Sequence, residues 1–172
     1  MPNRIEIRTD QAPVPRPSKS QAVVYNGMIF CSGVIGVDPL SSKLVEGPTT
    51  ARAAQAIRNL DIILKEAGSS LQDVIKLNIY LTDMAAFPEF NKLYEASFTG
   101  TPRPARTYMY IKELLLSTDV ELELVAAVPG ASESSHLSPS SSSSSIHTPP
   151  SLNSRLPTLS RITSNRLTSS TN

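Results

Sequence analysis

The residues with the strongest chemical potential are concentrated in two short stretches, Thr101–Tyr108 and Val120–Glu123. Both histidines, His136 and His147, fall in a Ser-rich C-terminal region, so the first 130 residues offer no imidazole as general base or zinc ligand. A single cysteine, Cys31, excludes an intramolecular disulfide and any multi-cysteine metal site, and reads as a small core residue. Carboxylates, arginine, lysine, tyrosine and backbone amides remain. Pro102 and Pro104 each fix their own φ and restrict the residue before them, which gives Arg106 a stiff approach at the start of a strand. An arginine delivered in this way suits a bidentate clamp on a carboxylate; the alternative is a surface arginine at a strand end. Glu121 and Glu123 share one parity on a strand and project from one face, opposite Val120, Leu122 and Leu124. They form either a solvated sheet face or, if buried without partners, a pair of acids with raised pKa. Lys19 reads as a solvated loop lysine.

The elements that must carry these groups are legible in the periodicity. Arg4–Arg8 alternates as a short strand, and Ala22–Val24 and Met28–Ser32 flank Asn26-Gly27, the dipeptide suited to a two-residue type I′ hairpin. Pro39–Lys43 is a turn-rich loop. Ala54, Ile57, Leu60, Leu64 and Ala67 recur at helical spacing, with Thr49 or Thr50 as cap and Gly68 as left-handed stop. Val74–Leu81 is a strand with Ile75, Leu77, Ile79 and Leu81 on its buried side. Asp83 precedes a second helix, in which Pro88 stands near the first turn and Phe87, Phe90, Leu93, Tyr94 and Phe98 form the apolar stripe. Two strands, about Arg106–Ile111 and Val120–Val128, complete the order β-β-β-α-β-α-β-β.

That order gives an α+β domain with one sheet and two helices, which must pack on a single face to close one core. The other face stays uncovered and mixes polar and apolar groups, which points to a symmetric oligomer. A simple hairpin centred near Leu116 would set Glu121 opposite Ile111 and leave Arg106 roughly 17 Å away along the strand pair. A site containing both then needs a bend, a bulge or a neighbouring subunit.

The chain has 172 residues, about one domain's worth, and 40% of them are apolar. From position 131 onward, 16 of 42 residues are Ser and apolar periodicity stops. So little apolar surface cannot offset an ordering entropy of about 1–2 kcal/mol per residue. The expected division is therefore a folded domain at 1–130 and a disordered tail at 131–172. The domain holds 13 Lys+Arg against 14 Asp+Glu, a balance that argues against a nucleic-acid coat. No apolar run approaches a membrane span, and the N-terminus lacks a secretory h-region. Glu6 and Asp10 interrupt what would otherwise be a transit peptide, so the expected compartment is cytoplasmic, with mitochondrial as the alternative.

Pro104-Ala105-Arg106-Thr107 followed by Val120-Glu121-Leu122-Glu123 resembles the signature of the RidA/YjgF family of enamine/imine deaminases. Ser32-Gly33, Asn91-Lys92-Leu93-Tyr94 and the 15-residue spacing from Arg106 to Glu121 extend the resemblance over about residues 10–129. It implies a chorismate-mutase-like homotrimer with sites in the clefts between subunits. It also implies hydrolysis of 2-imino acids to 2-oxo acids and ammonia without metal or cofactor. By position, Arg106 binds the substrate carboxylate and Glu121 orients or activates water. Backbone groups of Gly33 and Tyr108 hold the substrate, and Ser32 and Asn91 complete the implied binding set. The chain departs from the family pattern at Lys19, where many members have tyrosine, and at Tyr108, where many have cysteine. Leu114-Leu115 replaces the common Leu-Pro. Two other functions stand as alternatives: a non-catalytic trimer that binds small carboxylates or a protein partner with Arg106 as the clamp, and the single-strand endoribonuclease activity attributed to some relatives, against which the balanced charge and the absence of histidine both count.

Overall fold

The computed structural model of the protein describes residues 3–130, so the expectation of a disordered tail at 131–172 lies outside the described residues. Six strands, β1 (Ile5–Ile7), β2 (Ala22–Tyr25), β3 (Met28–Cys31), β4 (Val74–Leu81), β5 (Ala105–Tyr110) and β6 (Val120–Ala127), form one sheet in the order β1-β2-β3-β6-β4-β5. Two helices, α1 (Thr49–Glu66) and α2 (Phe87–Ser97), join them. The element order is the expected one, and the fold is a mixed α+β domain with one sheet and two helices. Asn26 and Gly27 sit at φ 50° and 72°, the positive values that a type I′ turn requires.

One face of the sheet carries Ile29, Leu77, Ile79, Leu122 and Leu124, all with essentially no exposure. These pack with Leu60, Ile63 and Leu64 of α1 and with Phe90, Tyr94 and Phe98 near α2 in one core. No helix packs on the other face among the described residues. Registers place Val23, Phe30 and Val125 there in one row, and Glu121 with Tyr80 and Met109 in another. Phe30 is 46% exposed on that face.

Three expectations require correction. The helix α1 has Pro48 as its N-cap with no side-chain cap; the Thr49 hydroxyl donates to Asp119 at 2.6 Å instead. Thr49 lies inside the first turn, and a carboxylate already fixed by Arg52 outcompetes the helix amides for it. In β4, Ile75 is 46% exposed, because a register shift between Val74 and Lys76 turns it out of the alternation. Finally, β5 and β6 do not form a hairpin. β4 lies between them, parallel to β5 and antiparallel to β6. Leu115–Ser117 instead makes a short 3-10 turn, with Leu116 and Ser117 at φ 57° and 52°, that carries the chain across to the far side of β4.

Candidate functional site

The expected site residues fall into two groups on opposite faces of the sheet. Arg106 on β5 pairs with Leu77, which pairs with Leu124, so it takes the parity of the core-facing row and points toward the helix layer. Its Nη1 donates to Asn91 Oδ1 at 2.7 Å. Its guanidinium lies 4.3 Å from the Tyr94 ring centroid and 5.0 Å from that of Tyr108. Asn91 and Tyr94 are three residues apart on α2 and therefore share a face. Asn91 Nδ2 in turn donates to Glu95 at 2.7 Å, which fixes the orientation of its amide oxygen toward Arg106. Tyr108 is wedged edge-on between Phe87 and Phe90, with centroids 4.6 and 6.0 Å away. Burial there pushes its phenol up, and the nearby Arg106 opposes the shift. Stacked and hydrogen-bonded, the guanidinium is oriented while still exposed, and it opens on a cleft with Arg103 and Glu95 at its walls. Arg103 is occupied by the carbonyls of Glu95 and Phe98 at 3.2 and 2.7 Å. Arg106 likewise commits only its Nη1, to Asn91, so its remaining N–H groups face the cleft that both arginines line.

Glu121 occupies the other face. It lies three residues along β6 from Leu124 and two strands from β5, about 14 Å from Arg106 by strand geometry alone. Beside it runs the segment after β3, where Cys31–Gly33 stands opposite only Glu123 and Leu124 before the chain bridges again at Val34 and Leu122. That extra residue brings Gly33 under the acid. A Cβ on Gly33 would lie 1.8 Å from Glu121 Oε1, so only glycine lets the carboxylate settle where it does. The Gly33 carbonyl accepts from Lys19 Nζ at 3.1 Å. Ser32 donates its hydroxyl to the Ser20 carbonyl at 2.7 Å and so ties down the loop that bears Lys19. Burial pushes the Glu121 carboxyl up; the Lys19 ammonium draws it partway back and Glu123 adds to the rise. Glu123 itself accepts from the Tyr80 hydroxyl at 2.7 Å, which holds that phenol up at about 12. Glu121 is consequently the carboxylate of the pair with no hydrogen-bonding side chain on it.

Of the six expected site residues, Arg106, Asn91 and Tyr108 come together on one side, and Ser32, Gly33 and Glu121 on the other. The hydroxyl of Ser32 faces a backbone carbonyl. Two residues contribute more than their sequence pattern assigns them. Tyr94 joins the apolar stripe as expected, and its ring also forms the platform for Arg106; the spacing from Asn91 is the available signal. Lys19 is exposed, in keeping with a solvated loop lysine, and its Nζ also joins the Gly33–Glu121 group. No local pattern marks it, because the contact spans 14 positions.

Cys31 is buried, and its thiol is pushed up to about 12 by that burial, which makes it an inert core group as expected. Among the described residues no helix is long and apolar enough to cross a membrane, and no group of three or more His, Cys, Asp or Glu could hold a metal ion.

Comparison with known proteins matches residues 9–128 to the family model described as Endoribonuclease L-PSP. A RutC family protein of Aquifex aeolicus is 45% identical over 122 residues, which is 70% of this chain and 97% of that protein. A mouse protein named 2-iminobutanoate/2-iminopropanoate deaminase is 38% identical over 120 residues, covering 70% of this chain and 88% of its own length. The crystal structure of RidA from an Antarctic Psychrobacter superposes with a TM-score of 0.68 at 36% identity, over 72% of this chain and 98% of that one. The chain belongs to this family, the RidA/YjgF proteins, as the motifs around Arg106 and Glu121 indicated.

Proposed function

We propose that this member of the family hydrolyses 2-imino acids to 2-oxo acids and ammonia, at sites that join Arg106 of one subunit to Glu121 of the next. The observation that carries this reading is the placement of the two groups. Each is held ready for a ligand, and they lie on opposite faces of one sheet, so only a second copy can bring them together. The uncovered face that bears Glu121, with Phe30 exposed and Val125 half-buried on it, supplies the apolar surface for such an assembly. Three copies arranged about an axis, as the family resemblance implies, give every subunit the same relation to its neighbour. The mouse relative's name supports the substrate class.

In this reaction Arg106 takes the substrate carboxylate through its planar fork, with Asn91 and Tyr94 fixing the plane. The water oxygen bonds to C2 of the iminium while Glu121 accepts a water proton. The resulting carbinolamine receives that proton on nitrogen and the C–N bond breaks to release ammonia, while the C2 hydroxyl passes its proton to Glu121 as the carbonyl forms and Glu121 hands it on to the ammonia. A 2-oxo acid and ammonium are the products. The iminium carbon is already electrophilic, so positioning and proton transfer are the contributions asked of the protein. The cytosol is the compartment this reading assumes.

Subunit complementation tests it. Arg106→Ala and Glu121→Gln should each abolish turnover of 2-iminobutanoate generated in situ, and both should remain assembled. Refolding the two together at equal ratio should restore roughly a quarter of wild-type activity, because one interface in four then combines an intact arginine with an intact glutamate. A mixture as inactive as its components would refute the shared site. A wild-type protein that binds 2-oxobutanoate through Arg106 without accelerating hydrolysis would identify a carboxylate-binding module instead.

A further inference from the structure

The described part of the molecule contains a cavity of about 260 Å³ that neither group of site residues fills. Its walls are largely apolar: Val14, Val34, Val37, Leu115 and Leu116 among them, with Lys19 and Gly33 on its lining as well. Gly33 therefore serves three purposes at once. Its carbonyl receives Lys19, its Cα lies under the Glu121 carboxylate, and it forms part of the lining of this cavity. Leu115 and Leu116, which wall this cavity, also line the shallow depression that holds Glu121, so the two spaces share a wall beside the acid.

Two buried amide side chains hold the cavity open. Gln21, only 4% exposed, donates to the carbonyls of Thr9 and Pro13 at 3.0 Å each and accepts from the Thr9 amide at 2.7 Å, which pins the N-terminal wall. Asn59, fully buried on α1, donates to the Val37 carbonyl at 2.8 Å and to that of Ile35 at 3.3 Å, which pins the opposite wall. The third wall is Leu115–Leu116. Both leucines are about 60% exposed, at 60% and 62%, and Leu116 adopts a left-handed φ of 57° that a leucine rarely takes. Such a wall is not there to fill the core. A preformed apolar cavity with fixed walls binds an apolar group without reorganisation, and one of roughly 150 Å³ already accommodates a benzene ring.

We propose that this cavity receives the substrate's side chain and that the preferred substrates carry a large apolar one, of isobutyl or benzyl size. The proposal rests on the imine-hydrolysis reading, and adds to it which imino acids are taken. A methyl or ethyl group would leave most of the volume empty. Each additional methylene buried is worth roughly fourfold in binding, so the isobutyl substrate should exceed the methyl one in kcat/KM by at least about tenfold.

The test compares 2-imino acids made in situ by an amino-acid oxidase from alanine, 2-aminobutyrate, leucine and phenylalanine, with the full-length protein and semicarbazide trapping. The leucine- and phenylalanine-derived substrates should be preferred by tenfold or more. Val14→Trp, which puts an indole in place of an isopropyl group on the cavity's lining at a 73%-exposed position, should bring that ratio down toward one. Preference for the methyl or ethyl substrate, or a ratio that Val14→Trp does not move, overturns the proposal. Calorimetry with pyruvate and 4-methyl-2-oxopentanoate separates it from the activity itself. If no imine is hydrolysed, tighter binding of the longer acid that Val14→Trp weakens would still establish the cavity's role. Equal binding of the two would overturn it.

Discussion

Gly33→Ala offers a severe test of how the acid is held. The backbone has no objection to the change, since Gly33 is not among the residues with positive φ. The objection comes from one atom. The new methyl would stand 1.8 Å from Glu121 Oε1, 2.9 Å from its carboxyl carbon and 3.3 Å from Cγ. The carboxylate is the far end of a flexible side chain, so it can swing away and the fold should survive. To reach ordinary contact it must retreat by about 1.5 Å, and a displacement of about 1 Å of a catalytic group can cost on the order of 10²-fold in rate. We expect kcat/KM for 2-iminobutanoate to fall about a hundredfold while the unfolding free energy changes by no more than a typical surface substitution allows, about 0.5 kcal/mol. Steady-state kinetics of a double-mutant cycle with Glu121→Asp identifies the cause. The shorter acid relieves the clash, so Gly33→Ala should cost far less in the Glu121→Asp background than in the wild type. Full activity of Gly33→Ala, or losses that simply add, would show that the carboxylate's seat over Gly33 is irrelevant to turnover.

Three further outcomes are expected. Lys19→Met removes the cation that opposes the rise of Glu121; because the proposed reaction needs the ionised acid, the acid limb of the kcat/KM profile should move to higher pH, and an unmoved limb would separate Lys19 from Glu121. Asp119 is held below the usual carboxylate range by Arg52, whose Nε and Nη2 both donate to it at 2.6 Å. A depressed folded pKa gives stability that is complete above the unfolded value and is lost as pH falls toward the folded one. Asp119→Ala should therefore cost about 1 kcal/mol at neutral pH, discounted for partial exposure, and much less in acid, as denaturant titrations at two pH values would reveal. Sedimentation equilibrium of residues 1–130 should give a trimer at micromolar concentration, and a monomer there would remove the basis for a shared site.

Much of this protein is written locally in its sequence. The Asn-Gly turn, the apolar repeat that ends at Gly68, the alternation of Val120–Val128 and the stripe of Phe90, Tyr94 and Phe98 each depend on neighbours within a few residues, and each element formed about where expected. The near-neutral charge, the lack of histidine before position 131 and the motifs around Arg106 and Glu121 are likewise properties of the chain alone. What the chain alone left open was every relation across strands. Period-2 patterning states which residues share a face of one strand and is silent about which strand lies beside it. A hairpin between β5 and β6 is thus as compatible with the alternation as the arrangement found, in which β4 separates them. That insertion, by way of a left-handed turn at Leu116, sets Arg106 two strands away from Glu121 instead of on the adjacent strand, while the two stay on opposite faces. Long-range contacts also made Lys19 a neighbour of Gly33, released Ile75 from the core and sent the Thr49 hydroxyl to Asp119, 70 positions away. Local residue patterns determined the elements and the chemistry available; strand order and register, set by how one core could close, decided which of those groups could meet.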